Sequence, residues 1–503
     1  MSRVVFALAR VEGMRLLRHP LTIAAVLLMA GPVLYGWLFG DGLPRFGLLH
    51  EPPRGLQLAM QLVLGGAALI AANFAVLRAR RFGTEQQFAV LVLPERLRVA
   101  ALLLALVPVA LVGALLAVIY VGVLAFAPGA VGRLDPYEVA TVPVLVLLMG
   151  GVGVLLGRLW RSVVVAPLLV VVSGAILLVF ASVQAATDSF VPYAMTVDIT
   201  DPMFLPPPQA LLTWPSGLHL LYLTGLAALI GVAALAVRGG RSTRVLVAGA
   251  VSLVLTVAAV VVQTASTRDG LRTAAARQQP ALQTCRVVER VTYCAFEEFV
   301  PWIDEWSAVT QGVLREMPPE LTNRPLAVRQ RAIAGTRGAL GDPAGVPVAK
   351  WRADDAAAGT PGAVGIGTRW GDGTETGFAA RLAYTLITGD PAALSTLCGG
   401  LGVVVTWIAG QATPLTRAGL ERIDAMSFGG VSFPEGEIGA GILVPDAEIS
   451  LATALLSRPT AEVGARVREN WTELTAEGTT LPRAAELLGL PAPKVVDDGW
   501  SCR

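Results

Sequence analysis

Long apolar stretches dominate the first half of the chain. Each holds about 20 residues or more, the length that an α-helix needs to cross roughly 30 Å of hydrocarbon. Ionisable side chains are almost absent from them, and Asn73, Ser173, Ser182 and Gln184 are the polar exceptions. The pattern predicts about seven membrane spans, at residues 21–40, 57–77, 99–126, 138–157, 163–184, 218–237 and 245–264.

Two local features refine this pattern. Pro108 stands inside the long third stretch, which predicts a kink or a strong tilt there. Residues 1–20, before the first stretch, are basic and amphipathic, which predicts a helix lying in the membrane interface. The residues expected on its broad apolar face are Val4, Val5, Leu8, Val11 and Leu16. A plain extension of the first span is the alternative.

Residues 265–503 have the mixed pattern of a soluble domain, which we expect to be mostly helical with a small β element. Residues 265–284 are predicted to form a polar linker, Arg286–Tyr293 a strand, and Glu297–Glu316 an amphipathic helix. The side chains predicted to face inward from that helix are Phe299, Trp302, Ile303, Trp306, Val309 and Val313. Residues 337–376 are predicted to form loops, with one short strand near Ala363–Ile366. Further helices are predicted at 376–388, 392–411, 414–426, 447–456, 460–475 and 482–488.

The balance of basic and acidic residues also changes near residue 265. Residues 1–265 carry 17 arginines against 10 acidic residues, and residues 266–503 carry 22 basic against 27 acidic residues. With the N-terminus in the cytoplasm, the inner segments hold 14 of those 17 arginines and the outer loops three. Because basic loops stay inside, this bias predicts a cytoplasmic N-terminus. Seven crossings then place residues 265–503 outside the cytoplasm.

All four cysteines lie in the second half of the chain. An even number confined to one region fits disulfides in an oxidising compartment, and four unrelated buried thiols are the alternative. Cys285 and Cys294 frame the predicted strand and are the favoured pair, which leaves Cys398 with Cys502 by elimination. The excess of Arg over Lys, with abundant Ala, Val, Leu and Gly, is typical of a GC-rich bacterial genome. We therefore expect a multi-pass protein of a bacterial plasma membrane.

The first large inner loop, Arg78–Arg98, carries the functional signal. Gly83 permits a turn at the end of the second span, and Thr84 is a good N-cap for a new helix. A short apolar helix follows along the inner surface and would end at Pro94. Such a helix can dock on a partner and transmit motion, whereas the alternative is an ordinary basic loop.

This loop resembles the cytoplasmic coupling segment of ABC transporter permeases of the export class that handles drugs, lipids and polysaccharides. The N-terminal helix likewise resembles that family's elbow helix, and the resemblance covers about the first 240 residues. It implies a six-span core, here followed by a seventh span and an extra external domain. The residues it implies for coupling to an ATPase are Arg81, Gly83, Thr84, Glu85, Gln86 and Pro94, with Arg78, Arg80, Arg96 and Arg98 as anchors at the inner surface.

The sequence also limits the chemistry of the chain itself. The P-loop motif G-x-x-x-x-G-K-[ST] is missing, so ATP and magnesium are expected in a separate ATPase subunit. The three histidines lie in the membrane half, which leaves the second half without a His-based zinc site or a Ser-His-Asp triad. Gly371–Gly377 lacks the spacing of a calcium loop, so a solvated turn is favoured. We expect no enzyme activity, no metal and no cofactor in this chain.

The leading hypothesis is therefore a permease subunit of an ATP-driven exporter. Its expected partners are an ABC-type ATPase, membrane lipids and a second permease in a homodimer or heterodimer, without nucleic acid. A membrane-anchored sensor that binds a ligand through its external domain is the alternative. An enzyme with its catalytic domain in residues 265–503 is a third possibility, disfavoured by the missing histidines and motifs.

Overall fold

A computed structural model shows a mainly helical protein with a small amount of β-structure. Its described residues fall into two compact units, one of residues up to 272 and one of residues from 273 onward. The structure describes residues 2–39, 45–49, 52–83, 94–160, 162–186, 215–237, 242–277, 279–331, 348–389, 395–426, 429–433 and 441–491.

The first unit is built from helices alone, apart from one isolated bridge between Leu48 and Val131. A π-helical turn, Met60–Gly65, joins two of these helices within one continuous span. The helices are α1 (Ser2–Leu17), α2 (Pro20–Phe39), α3 (Pro52–Ala59), α4 (Gly66–Arg81), α5 (Glu95–Leu104), α6 (Val107–Ala125), α7 (Pro136–Leu159), α8 (Val165–Ala186), α9 (Ser216–Ala236) and α10 (Thr243–Arg277).

The predicted spans coincide with these helices. Five of them are long and apolar enough to cross a membrane, namely Gly55–Arg81, Glu95–Ala125, Pro136–Leu159, Ser216–Ala236 and Thr243–Ala265. The first predicted span corresponds to α2, which is bent by 57° from α1. If α1 and α2 are counted together as one bent span, they make a sixth membrane-length segment. The fifth predicted span is α8, whose described apolar part, Val165–Leu177, is shorter. Membrane-length helices are thus present, while the count of seven stays a prediction.

Contacts along the helices show that their directions alternate. On α7, Gly153 lies against Leu69 and Gly157 against Val76, so α4 and α7 run parallel. Gly66 and Gly174 face Val170 and Leu62 respectively, so α8 runs antiparallel to α4. Helix α6 is antiparallel to α7, because Gly113 lies near Val142 and Gly150 near Leu106. Helix α9 is parallel to α7, because Gly151 lies near Ile230 and Arg158 is bonded to Val237. Helix α10 is antiparallel to α9, because Gly225 lies near Thr256 and Gly249 near Val232. Alternation of this kind is what serial crossing of a bilayer requires.

The third predicted span breaks where the sequence placed a kink. Helix α5 ends at Leu104 and α6 begins at Val107, so Pro108 occupies the first turn of the second helix. Proline has no N–H to continue the earlier helix, and its ring displaces the carbonyl four residues before it. The break receives α1, because Gly13 lies against Pro108 and the carbonyl oxygen of Ala105.

Helix α1 forms as predicted, but the predicted apolar face is wrong in part. Val5 and Leu16 are buried, whereas Val4 and Val11 are about half exposed. The buried side continues through Ala9 and also contains Glu12. Packing against the break between α5 and α6 selects this side, a tertiary contact that helical periodicity alone does not reveal.

Close helix packing in the first unit depends on glycine. A Cβ at Gly153 would overlap the carbonyl oxygen of Leu69, so the backbones of α7 and α4 come into direct contact there. A Cβ at Gly157 would lie 2.8 Å from the Cβ of Val76. Small residues four apart permit this approach between apolar helices, which lack a hydrophobic driving force in lipid. The large apolar side chains of α2 and α10 are instead mostly exposed, as lipid-facing side chains would be.

The second unit alternates short strands with helices and 3₁₀ turns, the latter at Pro280–Leu282 and Glu297–Trp302. Its elements are β1 (Thr284–Val288), β2 (Val291–Ala295), α11 (Ile303–Glu316), α12 (Pro319–Thr322), β3 (Leu326–Gln330), α13 (Val348–Ala357), β4 (Val364–Ile366), α14 (Thr374–Thr388), β5 (Ser395–Thr396), α15 (Gly399–Gln411), α16 (Pro414–Ala425), β6 (Gly430–Phe433), β7 (Ile442–Pro445), α17 (Asp446–Leu456), α18 (Thr460–Glu469), α19 (Trp471–Leu474) and α20 (Leu481–Leu488).

Two small sheets organise this unit. The first has the strand order β1-β2-β3-β4, antiparallel between β1 and β2 and parallel from β2 to β4. The second has the order β5-β7-β6, with β5 parallel and β6 antiparallel to β7. The side chains predicted to face inward from 297–316 are all buried, namely Phe299, Trp302, Ile303, Trp306, Val309 and Val313.

Three details differ from the sequence-based expectation. Arg286–Tyr293 is not one strand but a hairpin, because Glu289 and Arg290 both adopt positive φ angles, of 47° and 73°. Such a two-residue turn normally requires Gly or Asn, so these residues carry no turn signal. The predicted linker 265–284 is also helical in its first part, because α10 continues to Arg277. Helix α13 lies within the predicted loops 337–376.

The favoured disulfide is present. Cys285 and Cys294 face each other in the antiparallel register of β1 and β2 and are bonded. Cys398 is also disulfide-bonded. Cys502, which the sequence left as its partner by elimination, lies outside the described residues.

We expect Gly153→Ala to destabilise the first unit. The added methyl group would overlap the Leu69 carbonyl oxygen, and overpacking of this kind costs about 1–3 kcal/mol. Gly122→Ala is the matched control, because nothing lies within 4 Å of a Cβ at that helical position. Thermal unfolding of both variants in detergent micelles measures the difference. A midpoint for Gly153→Ala equal to that of the control would contradict the close contact.

Candidate coupling site at the basic end of the membrane bundle

The helix that leads into the predicted coupling segment ends in a cationic turn. Arg78, Arg80 and Arg81 occupy the last turn of α4, where positive charge interacts favourably with the helix dipole. Gly83 follows with φ +66°, and its N–H donates to the carbonyl of Arg80 at 3.0 Å. This is a glycine-terminated helix end, as the sequence predicted. We call this end of the bundle, where α4 and α7 both finish, the basic end.

One ion-pair clamp joins α4 to α1. Both terminal nitrogens of Arg78 donate to the carboxylate of Glu12, each at 3.0 Å. Arg15 also donates to Glu12, at 2.8 Å. The Glu12 side chain is only 11% exposed, against 37% for Arg78. A bidentate pair in this partly buried setting fixes the angle between the two helices as well as contributing energy.

A second clamp lies at the start of the next helix. Pro94 precedes α5, and Glu95 is its first residue. Arg158, at the end of α7, is 5% exposed and donates to Glu95 at 2.8 Å and to the carbonyl of Val237 at 2.6 Å. That carbonyl lies directly after α9, so one guanidinium joins the ends of three helices. Arg158 follows Gly157, which contacts Val76 near the end of α4. The second clamp therefore also lies at the basic end.

The two clamps lie near the two ends of the predicted coupling segment, Arg78–Arg98. Arg78 is its first residue, and Glu95 lies close to its last. Residues 84–93, including Thr84, Glu85 and Gln86, lie outside the described residues. Pro94 is the N-cap of α5, so whether it also ends a preceding helix stays a prediction.

The remaining predicted anchors are placed at the same end. Arg80 and Arg96 are exposed. The exposed Arg81 guanidinium lies over the Phe74 ring, 5.4 Å from its centroid, and Arg98 is half-buried. The exposed side chains of Arg80, Arg81 and Arg96 can reach anionic lipid headgroups or an acidic partner, whereas Arg78 is bonded to Glu12.

Sequence reasoning missed Glu12, Glu95 and Arg158 as members of one arrangement. Glu12 did carry a signal, since it is the single acidic residue among the first 40. A lone carboxylate in a basic amphipathic helix is a good candidate for an internal ion pair. The pairing of Glu95 with Arg158 spans 63 residues, so no local pattern indicates it.

The polar residue Asn73 lies deeper in the same helix. It is fully buried beside Gly157, and neither polar atom of its side chain has a hydrogen-bond partner among the described residues. Leaving buried polar groups unsatisfied costs about 1–3 kcal/mol. The close packing of α4 on α7 therefore keeps the Asn73 amide buried at a cost in the free energy of unfolding.

The expectation that the spans contain almost no ionisable residues needs correction at the opposite end. Glu138 and His219 are buried there, in the first turns of α7 and α9. Gln57 donates to the carbonyl of Glu138 at 3.0 Å, and Asp135, the N-cap of α7, accepts a hydrogen bond from Ser216. These groups lie at helix ends rather than at mid-span, where hydrocarbon would penalise their charge most.

No group of three or more His, Cys, Asp or Glu side chains that could hold a metal ion occurs within the described residues. The Asp, Glu, Arg and Ser groups at the two ends of the bundle form ion pairs and helix caps instead. The arrangement of these groups is therefore suited to holding helices together.

We expect Arg78→Ala to loosen α1. The substitution leaves the buried Glu12 carboxylate with Arg15 as its remaining cationic partner, and loss of a charge-assisted pair costs about 1–3 kcal/mol. Arg80→Ala is the control, because it removes an exposed arginine from the same helix end. Thermal unfolding in micelles and hydrogen exchange of the α1 amides provide the measurements. Equal behaviour of the two variants would show that the clamp does not hold α1.

Comparison with known proteins yields no match for this chain, either among protein-family models or among curated proteins. The resemblance to export permeases therefore stays a prediction from the sequence.

Proposed function

We propose that this chain is the permease subunit of an ATP-driven ABC exporter in a bacterial plasma membrane. The observation that carries the proposal is the pair of clamps within Arg78–Arg98, the loop that resembles a permease coupling element, with one clamp near each end of that loop. Glu12–Arg78 holds the helix that enters the segment, and Glu95–Arg158 holds the helix that leaves it. A push on the segment would thus reach the bundle through two fixed points.

The packing of the bundle supports a rigid-body mechanism. Arg158 ties α5, α7 and α9 together, and the glycine contacts lock α7 against α4. These helices therefore form one block, which would move as a unit when a docked ATPase closes. The substrate path would then lie between two copies of the permease, and the energy would come from the partner's ATP and magnesium.

The charge distribution supports a cytoplasmic basic end. Of the 17 arginines in residues 1–265, 14 lie in segments that an inside N-terminus places in the cytoplasm. In this orientation the second unit lies outside, where its Cys285–Cys294 disulfide would be stable. The exposed arginines Arg80, Arg81 and Arg96 would face anionic lipid and the ATPase.

Substitutions within the coupling segment test the proposal. In the native host, the tagged chain is expected to co-purify with a P-loop ATPase and to show ATP hydrolysis in the purified complex. Glu85→Arg is expected to reduce both at least tenfold by reversing charge at the docking surface. Gly83→Pro is expected to do the same, because proline cannot adopt φ +66° or donate to the Arg80 carbonyl.

Glu477→Arg is the matched control, since it makes the same charge reversal at an exposed position of the second unit. It is expected to leave co-purification and hydrolysis unchanged. Retention of the ATPase in Glu85→Arg and Gly83→Pro at the level of this control would remove the coupling role, and absence of any ATPase from the wild-type complex would remove the proposed function.

A further inference from the structure

The loop that leads into α14 carries a buried carboxyl group. The sequence favoured a solvated turn for Gly371–Gly377, and a turn is present, since Gly371, Asp372 and Gly373 all adopt positive φ angles. Asp372 is exposed, as a solvated turn requires. The prediction is wrong for the other acid of the segment, because Glu375, in the first turn of α14, is fully buried.

Helix α16 covers this carboxyl group. A Cβ at Gly419 of α16 would lie 2.8 Å from the Oε1 atom of Glu375, so a side chain at position 419 would crowd the carboxyl group. The neighbouring Thr376 hydroxyl donates to the Thr416 carbonyl of α16 at 2.8 Å. The contact between the two helices, which we call the α14–α16 joint, therefore encloses an ionisable group.

Hydrogen bonding satisfies only one of the two carboxyl oxygens. The Oε2 atom of Glu375 accepts from the Gly373 N–H at 3.2 Å. The Oε1 atom is buried and has no hydrogen-bond partner within the described part of the chain. An ionised carboxylate with an unbonded oxygen is costly where water is excluded, whereas the protonated group carries no charge.

The surroundings of Glu375 favour its neutral form. Burial is the largest influence, and it raises the pKa of Glu375 above the ordinary value for a Glu side chain. The Gly373 N–H and the Arg422 guanidinium of α16 act in the opposite direction, and the Asp372 carboxylate adds to the rise. Arg422 is itself paired with Asp372 at 3.4 Å, and both side chains are exposed, so water screens their effect.

The other elements that pack on α14 bring few charges. Helix α15 and the strands β4, β6 and β7 contain no charged residue. On α16, Arg417 pairs with Glu421 at 3.8 Å. The remaining charged residues of α11, α12 and α16 are Asp304, Glu305, Arg315, Glu316, Glu320 and Asp424. None of these forms an ion pair with Glu375 among the residues that the structure describes.

We propose that Glu375 makes the α14–α16 joint responsive to protons, so that uptake of a proton by this carboxyl group stabilises the second unit. The folded state binds the proton more tightly than the unfolded chain does, because burial raises the pKa of Glu375 only in the folded state. This stabilisation is therefore complete below the ordinary Glu pKa and is lost as the pH rises through the raised pKa of the folded state. The proposal is independent of the transport role and of membrane orientation.

Thermal unfolding of the full-length chain in detergent micelles, measured between pH 5 and pH 8, tests this joint. Tryptophan fluorescence is the signal, because most tryptophans of the chain lie in the second unit. Glu375→Gln places a neutral group of nearly the same shape at the site. We expect this variant to raise the unfolding midpoint at pH 8 by about 2–4 °C, and its difference from the wild type to shrink by at least half at pH 5.

Two further variants locate the effect. Glu477→Gln removes an exposed acid of the same unit and is expected to keep the pH dependence of the wild type. Arg422→Gln removes the cation that favours ionised Glu375, so it is expected to steepen the loss of stability toward pH 8, and to do so only while Glu375 is present.

Three results would overturn the proposal. The first is a midpoint difference between Glu375→Gln and the wild type that is the same at pH 5 and pH 8. The second is a midpoint for Glu375→Gln below that of the wild type at pH 8, or failure of this variant to fold, since either would show that the joint requires the ionised form. The third is a change in Glu477→Gln as large as that in Glu375→Gln.

Discussion

Hydrocarbon excludes both charge and unbonded backbone groups, and this exclusion determines how the first unit is built. Helices satisfy their own backbone hydrogen bonds, so the chain crosses apolar space only as helices. The ion pairs Glu12–Arg78 and Glu95–Arg158 lie at the ends of the span helices rather than at mid-span. Apolar helices in lipid have no hydrophobic driving force for association. Close backbone contact at Gly153 and Gly157 therefore stabilises the packing of α7 against α4 through van der Waals contacts.

The same constraint links structure to the proposed mechanism. Ion pairs excluded from the apolar interior collect at the basic end, where they tie helix ends to each other. Arg158 joins three helices there, and Arg78 joins two. The loop that resembles a permease coupling element, Arg78–Arg98, carries one clamp near each of its ends, so a partner docked on it would act on helix ends that are tied to their neighbours.

Much of this architecture follows from local sequence pattern, and the rest depends on long-range contacts. The apolar stretches of the sequence located the membrane helices within a few residues, because the length of a span is a local property. Pro108 located the break between α5 and α6, because the missing proline N–H also acts locally. The buried face of α1 was predicted only in part, because packing against that break selects it. The strands β3, β5, β6 and β7 were missed because each is short, and β3 and β5 also pair with strands that are distant in sequence. Gly83 was correctly placed in a turn, whereas Arg78 and Arg158 pair with residues 66 and 63 positions away, so no local pattern indicates which residues meet.

The central claim is that the basic end faces the cytoplasm and the second unit faces outward. Single cysteines at exposed positions, Arg80→Cys at the basic end and Glu320→Cys in the second unit, test it by labelling of intact cells with a membrane-impermeant maleimide. The account predicts that Glu320→Cys is labelled in intact cells and that Arg80→Cys is labelled only after the membrane is permeabilised. Labelling of Arg80→Cys in intact cells, with Glu320→Cys protected, would contradict it.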